Sequence, residues 1–206
     1  MAINGIEMIT DRTMSDVELV KSLVKKGLKR MTDDERRSFL SGMKGAYNYT
    51  DFNRVESVVK YLSGRLVEVP VEIEDLCKEL DIAWDSAFSV PYDPSDYENI
   101  NVKTDWDVSN MLTETDRVRY IGNVEHIALS LSDLPESFPR SLDGLTYSGA
   151  NAIEQLLVNL DVLLSELKNA KETLLINTSK AWFYSGEIYG GEVRRIENPN
   201  TLVGLC

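Results

Sequence analysis

The sequence predicts a mainly α protein: a small helical bundle with a long irregular connection and a short C-terminal β segment. Three observations carry this. Apolar residues recur at helical spacing behind Ser or Thr starts in several places, as in Thr50-Asp51-Phe52-Asn53-Arg54-Val55. Residues 83–107, AWDSAFSVPYDPSDYENINVKTDWD, are rich in Pro, Asp, Ser and Asn, which marks a loop. Residues 181–196, AWFYSGEIYGGEVRRI, change to aromatic and β-branched character with Gly punctuation, which reads as one or two strands, with a hairpin about Gly190-Gly191.

The elements follow in order. Thr13 precedes MSDVELVKSLVKKG, where Val17, Val20, Val24 and Leu28 form one stripe and Asp16 and Glu18 stand in the first turn. Thr32-Asp33-Asp34-Glu35 is a capping box, in which the hydroxyl and the carboxylate satisfy free amides at a helix start. Its helix is expected to reach Met43 and end in the Gly of KGAYN. The next should run from residue 48 to about Leu66, and Pro70 should separate it from a short helix over 71–82. Helix is expected again from Thr113 to Leu131 and, after a Pro-containing link, from Tyr147 to Lys168. The regions are then 1–70, helical; 71–107, a short helix and the aromatic connection; 108–180, helical; and 181–206, the β segment and tail.

Three of the helix starts align loosely on Asn53, Asp116 and Asn151. Thr50, Thr113 and Ser148 stand three residues earlier and read as caps. Val55, Val118 and Ile153 follow two residues later, and Val58, Ile121 and Leu156 five later. The first two copies share Arg54-Val55 and Arg117-Val118. Their uneven spacing excludes a solenoid with one period and points to a structural repeat rather than a catalytic one.

Composition narrows the function classes. The chain has 206 residues, a formal net charge of −12 and no apolar run long enough to span a bilayer. MAINGIEMITDRT lacks a basic start followed by an apolar stretch, so no secretory signal and no membrane insertion are expected, and the protein should be made in the cytoplasm. Residues 1–70 hold 12 Lys and Arg against 10 Asp and Glu, whereas residues 71–206 hold 10 against 24. Such an acidic surface repels phosphate backbones, so nucleic acid is not an expected partner. The basic stretch KSLVKKGLKR interleaves apolar residues and reads as a solvated helix face. Cys77 and Cys206 suggest neither a disulfide framework nor a metal pair.

No catalytic, metal or cofactor site is expected. The single histidine, His126, is adjacent to Glu125 on a helix, where neighbouring residues do not face each other, and no nucleophile motif is present. The acids of DPSDYEN lack calcium-loop spacing, and Gly186, Gly190 and Gly191 form no phosphate-binding fingerprint. Contact is the better expectation. Trp182, Phe183, Tyr184, Ile188 and Tyr189 crowd too closely to bury one another, and Trp84 and Trp106 lie in the connection. These seven are the candidate partner-binding residues.

MITDRT, KGAYNYTDFNRVE, KTDW, LTYSGANAIE and AWFYSGEIYGGE together resemble a group of tail-associated proteins of phages and prophages of Gram-positive gut bacteria. These proteins often repeat a Lys-Thr-Asp-Trp segment followed by an Asn-Arg-Ile-Glu helix. Lys103-Thr104-Asp105-Trp106 matches the first part, and Asn53-Arg54-Val55-Glu56 the second with Val for Ile. Asn151-Ala152-Ile153-Glu154 lacks the Arg. The resemblance implies a non-enzymatic structural or adaptor protein of a tail or baseplate, at the tail tip or fibre attachment. It would dock on other tail proteins and on copies of itself, in the virion and in the host cytoplasm during assembly. The alternative is a tail-tip module that binds the cell wall, or hydrolyses glycan with paired carboxylates.

Overall fold

A computed structural model describes residues 1–79, 93–130 and 134–186. The chain is mainly α, with one small sheet. That sheet is an antiparallel pair, β1 (Ala2–Ile3) and β2 (Ile6–Glu7), at the N-terminus. Asn4 and Gly5 turn between the strands with φ of 48° and 77°, the left-handed pair that a tight hairpin requires. Ile3 and Met8 then enter the core.

Two short helices follow, α1 (Met14–Lys26) and α2 (Asp33–Ser41), joined through a 3-10 turn at Leu28–Arg30. Both carry full capping boxes: Thr32 with Glu35, as the sequence predicts, and Thr13 with Asp16, where an aspartate takes the place usual for glutamate. α2 stops one turn earlier than Gly45, at Gly42, whose φ of 95° ends the helix. Gly45 has a different task. A Cβ there would lie 2.0 Å from the Asp16 carbonyl oxygen, so only glycine lets the turn before the next helix pass against α1.

The body of the molecule is α3 (Tyr49–Glu79), α4 (Glu114–Ala128) and α5 (Tyr147–Gly186). α3 packs along α5, and both meet α4. The core is a stripe from each: Val55, Val58, Val59, Leu62 and Leu66 of α3, Ile153, Leu156, Leu157, Leu160 and Leu164 of α5, and Tyr120, Ile121, Val124 and Ile127 of α4. A 3-10 turn at Pro94–Tyr97 closes one side on α3, with Tyr97 stacked on the exposed His126.

Several expectations are corrected. Pro70 does not divide α3, because Leu66, Val69, Ile73 and Leu76 keep one buried stripe running past it. Burial of that stripe outweighs the amide donor that proline lacks. Over residues 181–186 the predicted C-terminal β segment is helix instead. Residues 181–186 continue α5, since extending a formed helix is far easier than starting a new element, and the remainder of 181–206 lies outside the described residues. The predicted stripe on α1 is not a core face either: Leu23 is buried, whereas Val24 is 61% exposed.

Candidate functional site

The most unusual feature of the protein is a set of polar side chains inside the bundle. It consists of two grips built alike. In the first, Asn53 on α3 faces the backbone of Trp106 in an extended segment. Its carbonyl oxygen accepts from the Trp106 amide at 2.7 Å, and its amide donates to the Trp106 carbonyl at 2.8 Å. One helical turn on, Glu56 accepts from the Trp106 indole at 2.7 Å. Arg119 on α4 donates to the other oxygen of the same carboxylate. The Lys103 ammonium caps the indole face at 4.2 Å from its centre.

In the second grip, Asn151 on α5 accepts from the Arg12 amide at 3.0 Å and donates to the Arg12 carbonyl at 2.9 Å. One turn on, Glu154 accepts from the Arg12 guanidinium at 2.6 Å and from the Ile9 amide at 2.6 Å. Arg54 of α3 donates to both oxygens of Glu154, at 2.7 and 3.1 Å. Asp51 joins by accepting from Arg12 at 2.7 Å and from Arg54. Thr10-Asp11-Arg12 and Thr104-Asp105-Trp106 are therefore equivalent straps, each held by an Asn-x-x-Glu pair on a helix. The grips cross over: the helix of the first half holds the strap of the second, and the reverse.

This geometry corrects the predicted repeat. The residues flanking α3 and α5 are Asn48 and Thr146, not Thr50 and Ser148. Asn48 accepts from the Thr50 amide, and Thr146 from the Gly149 amide. Asn53 and Asn151 thus occupy the fifth helical position. On α4 Thr113 is itself the cap and Asp116 the third residue. A shift of two positions rotates a side chain by about 200° around a helix. Accordingly Val118 is 64% exposed while Val55 and Ile153 are buried, and Arg117 pairs with Asp143 at the surface. The true repeat has two members, α3 and α5.

Burial sets the electrostatics. Arg12, Asp51, Glu56 and Glu154 are all buried, so each charge depends on its partners. Desolvation opposes the charge on Arg54, but Glu154 and Asp51 outweigh it and make Arg54 more basic than an ordinary arginine. Beside them the Tyr47 and Tyr120 hydroxyls meet at 2.5 Å, and burial pushes both phenols well above their usual range. The Arg12 guanidinium lies over the Tyr47 ring, 5.4 Å from its centre.

The predicted contact residues divide. Trp106 is only 5% exposed and is part of the first grip, so it is not a surface available to partners. Nothing local in the aromatic connection names Asn53 and Glu56, on a distant helix, as the residues that enclose Trp106. Trp182, Phe183 and Tyr184 fall on the last turns of α5, with side chains beyond what is described; Trp84, Ile188 and Tyr189 lie outside the described residues. Among the described residues no group of three His, Cys, Asp or Glu could hold a metal ion. No described helix is long and apolar enough to cross a membrane.

Two surfaces remain open to contact. The first is the α1–α2 arm, whose helices pack chiefly on each other. It exposes Met14, Leu19, Val24, Leu28 and Leu40. The second is a cavity of about 320 Å³ between α1, Tyr47 and the start of α5. No family model matches the chain, no curated protein matches its sequence, and no solved structure matches its fold.

Proposed function

We propose that the protein is a non-enzymatic structural or adaptor component of a phage tail or baseplate, acting by protein–protein docking in a symmetric assembly. The crossed grips carry this reading. Two of the motifs that carry the resemblance, Lys103-Thr104-Asp105-Trp106 and Asn53-Arg54-Val55-Glu56, are the two halves of one contact. Their joint presence supports the reading of a rigid building block. The buried carboxylates support it too: Asp51, Glu56 and Glu154 are each bound to a guanidinium group, an arrangement suited to holding helices in place.

The α1–α2 arm is the docking element in this reading. Residues 14–44 carry eight Lys and Arg against five Asp and Glu, while the whole chain is at −12. A basic arm with exposed leucines and valines suits an acidic neighbour, and copies meeting head to tail would join unlike faces. Placing aspartate at two exposed arm positions, Leu19→Asp with Val24→Asp, should leave the fold intact and abolish assembly. Light scattering of the purified protein and its recovery with other particle proteins from the producing phage are the measurements. A wild-type monomer at every concentration, never recovered with the particle, overturns the proposal.

A further inference from the structure

Two features of the surface complement each other, and the first is a projection. After Trp106 the chain turns tightly over residues 107–110, closed by the Asn110 amide donating to the Asp107 carbonyl at 3.2 Å. Side chains brace the turn from both ends. The Asp107 carboxylate accepts from the Ser109 amide at 2.7 Å and from the Ser109 hydroxyl at 2.6 Å. The Asn110 side chain accepts from the Asp107 amide at 2.8 Å. The first grip fixes Trp106 just before the turn, and α4 starts just after it. What this braced turn carries is apolar. Val108 is 82% and Met111 87% exposed, the highest values among the large apolar side chains described. One exposed apolar residue is ordinary, but two on a single rigid turn suit a contact.

The second feature is the hollow of about 320 Å³ between α1 and the start of α5, walled by Met14, Val17, Tyr47, Leu145 and Ala150. It has the volume of roughly ten waters, enough for one valine and one methionine side chain. α1 borders it with Val17 and Lys21, and the exposed Val24 continues the same helix face. Charge agrees with shape. Lys21 stands at the hollow and Asp105 beside the projection; both are exposed, and neither forms an ion pair with any described residue. Asp107 and Glu114, also exposed, add negative charge around the apolar tip. The turn cannot fill the hollow of its own chain, because the grip and α4 hold it in its exposed position.

We infer that the hollow is filled by a second copy of this chain: Val108 and Met111 of one copy enter between α1 and the start of α5 of the next, with Asp105 and Asp107 facing Lys21. The contact joins unlike surfaces. Each copy offers one projection and one hollow, so copies add head to tail. Val108 stands two residues after Trp106 as Met14 stands two after Arg12, so corresponding places of the repeat form the two sides of one contact. This deepens the assembly reading and rests on it, naming another copy as a partner of the arm.

The test is sedimentation of the full chain at up to about 1 mM, because a contact this small is weak. The wild-type chain should form oligomers larger than a dimer. Val108→Asp with Met111→Asp removes the projection, and Val17→Trp fills the hollow. Each variant alone should be monomeric, with an unchanged circular dichroism spectrum. Mixed in equal amounts, the two should form a dimer and nothing larger, since one intact projection and one intact hollow remain between them. Lys21→Glu should weaken association about fivefold, the scale of an exposed ion pair. The projection variant changes only exposed positions and decides alone if Val17→Trp disturbs α1. Four results overturn this contact alone: association unchanged by Val108→Asp with Met111→Asp, a mixture that stays monomeric, indifference to Lys21→Glu, or a monomeric wild-type chain that is still recovered with the particle. A wild-type chain that is monomeric throughout and never recovered with the particle overturns the assembly reading as well.

Discussion

At the scale of the residue, two asparagines do work that no apolar residue could replace. Each satisfies both backbone groups of a strap residue with one flat amide. Asn53→Ala or Asn151→Ala leaves a buried amide and carbonyl unpaired, and each should cost about 1–3 kcal/mol in chemical denaturation. Asn53→Asp is the sharper variant: it keeps the acceptor for the Trp106 amide but sets a carboxylate against the Trp106 carbonyl. It should be no more stable than the alanine variant, and a fully stable Asn53→Asp protein would contradict the assigned bonds. Glu154→Gln removes the charge that holds both Arg12 and Arg54, and should cost about 3–5 kcal/mol. The phenols of Tyr47 and Tyr120 give a separate signature. Burial raises both, so the stability they confer is complete below the ordinary pKa of 10.0 and is lost as pH rises above it. Ultraviolet titration should show two of the nine tyrosines ionising only as the protein unfolds.

At the scale of the element, the capping boxes and the proline make testable demands. Asp16 and Asp116 are held below the ordinary carboxyl value of 3.8, first by the hydroxyls of Thr13 and Thr113 and then by the amides of the same residues. A depressed carboxyl contributes stability above its unfolded pKa and loses it as pH falls through the folded one. The first turns of α1 and α4 should therefore fray below about pH 4, before α3 and α5, as followed by amide exchange. Within α3, Pro70→Ala restores a helical donor and should raise the melting temperature, by about 1 kcal/mol of stability after the lost ring contacts are counted. These elements also show how far the sequence could be read. The box at Thr32 and the cap at Thr113 are legible because each lies within four residues, whereas the boxes at Thr13 and Thr113 are closed by an aspartate in place of the usual glutamate. The Asn4-Gly5 hairpin is equally local, an Asn-Gly pair flanked by isoleucines, but its strands are two residues long, too short for an alternating pattern to mark them. The grips were not legible. Asn53 and Trp106 are 53 residues apart and Arg12 and Asn151 are 139 apart, and no periodicity connects a helix to the strap it holds.

At the scale of the whole molecule, the crossing of the grips ties the two halves into one unit. Neither half completes its own strap, so loss of one grip exposes the partner's buried charges as well. Unfolding should be a single transition, with near- and far-ultraviolet circular dichroism changing at the same denaturant concentration. Two separated transitions would show that the halves stand independently. The arm lies apart from this unit: Leu23 and Met31 are buried away from the main core. Substitutions there should alter association with little change in the melting of the body.

The reciprocal arrangement has a consequence for ancestry. Two separate polypeptides, each with one strap and one Asn-x-x-Glu helix, could have made every such bond as a homodimer before any gene duplication and fusion. Fusion would then have supplied a tether and released the two copies to diverge, which is how one strap could come to bear an indole and the other a guanidinium.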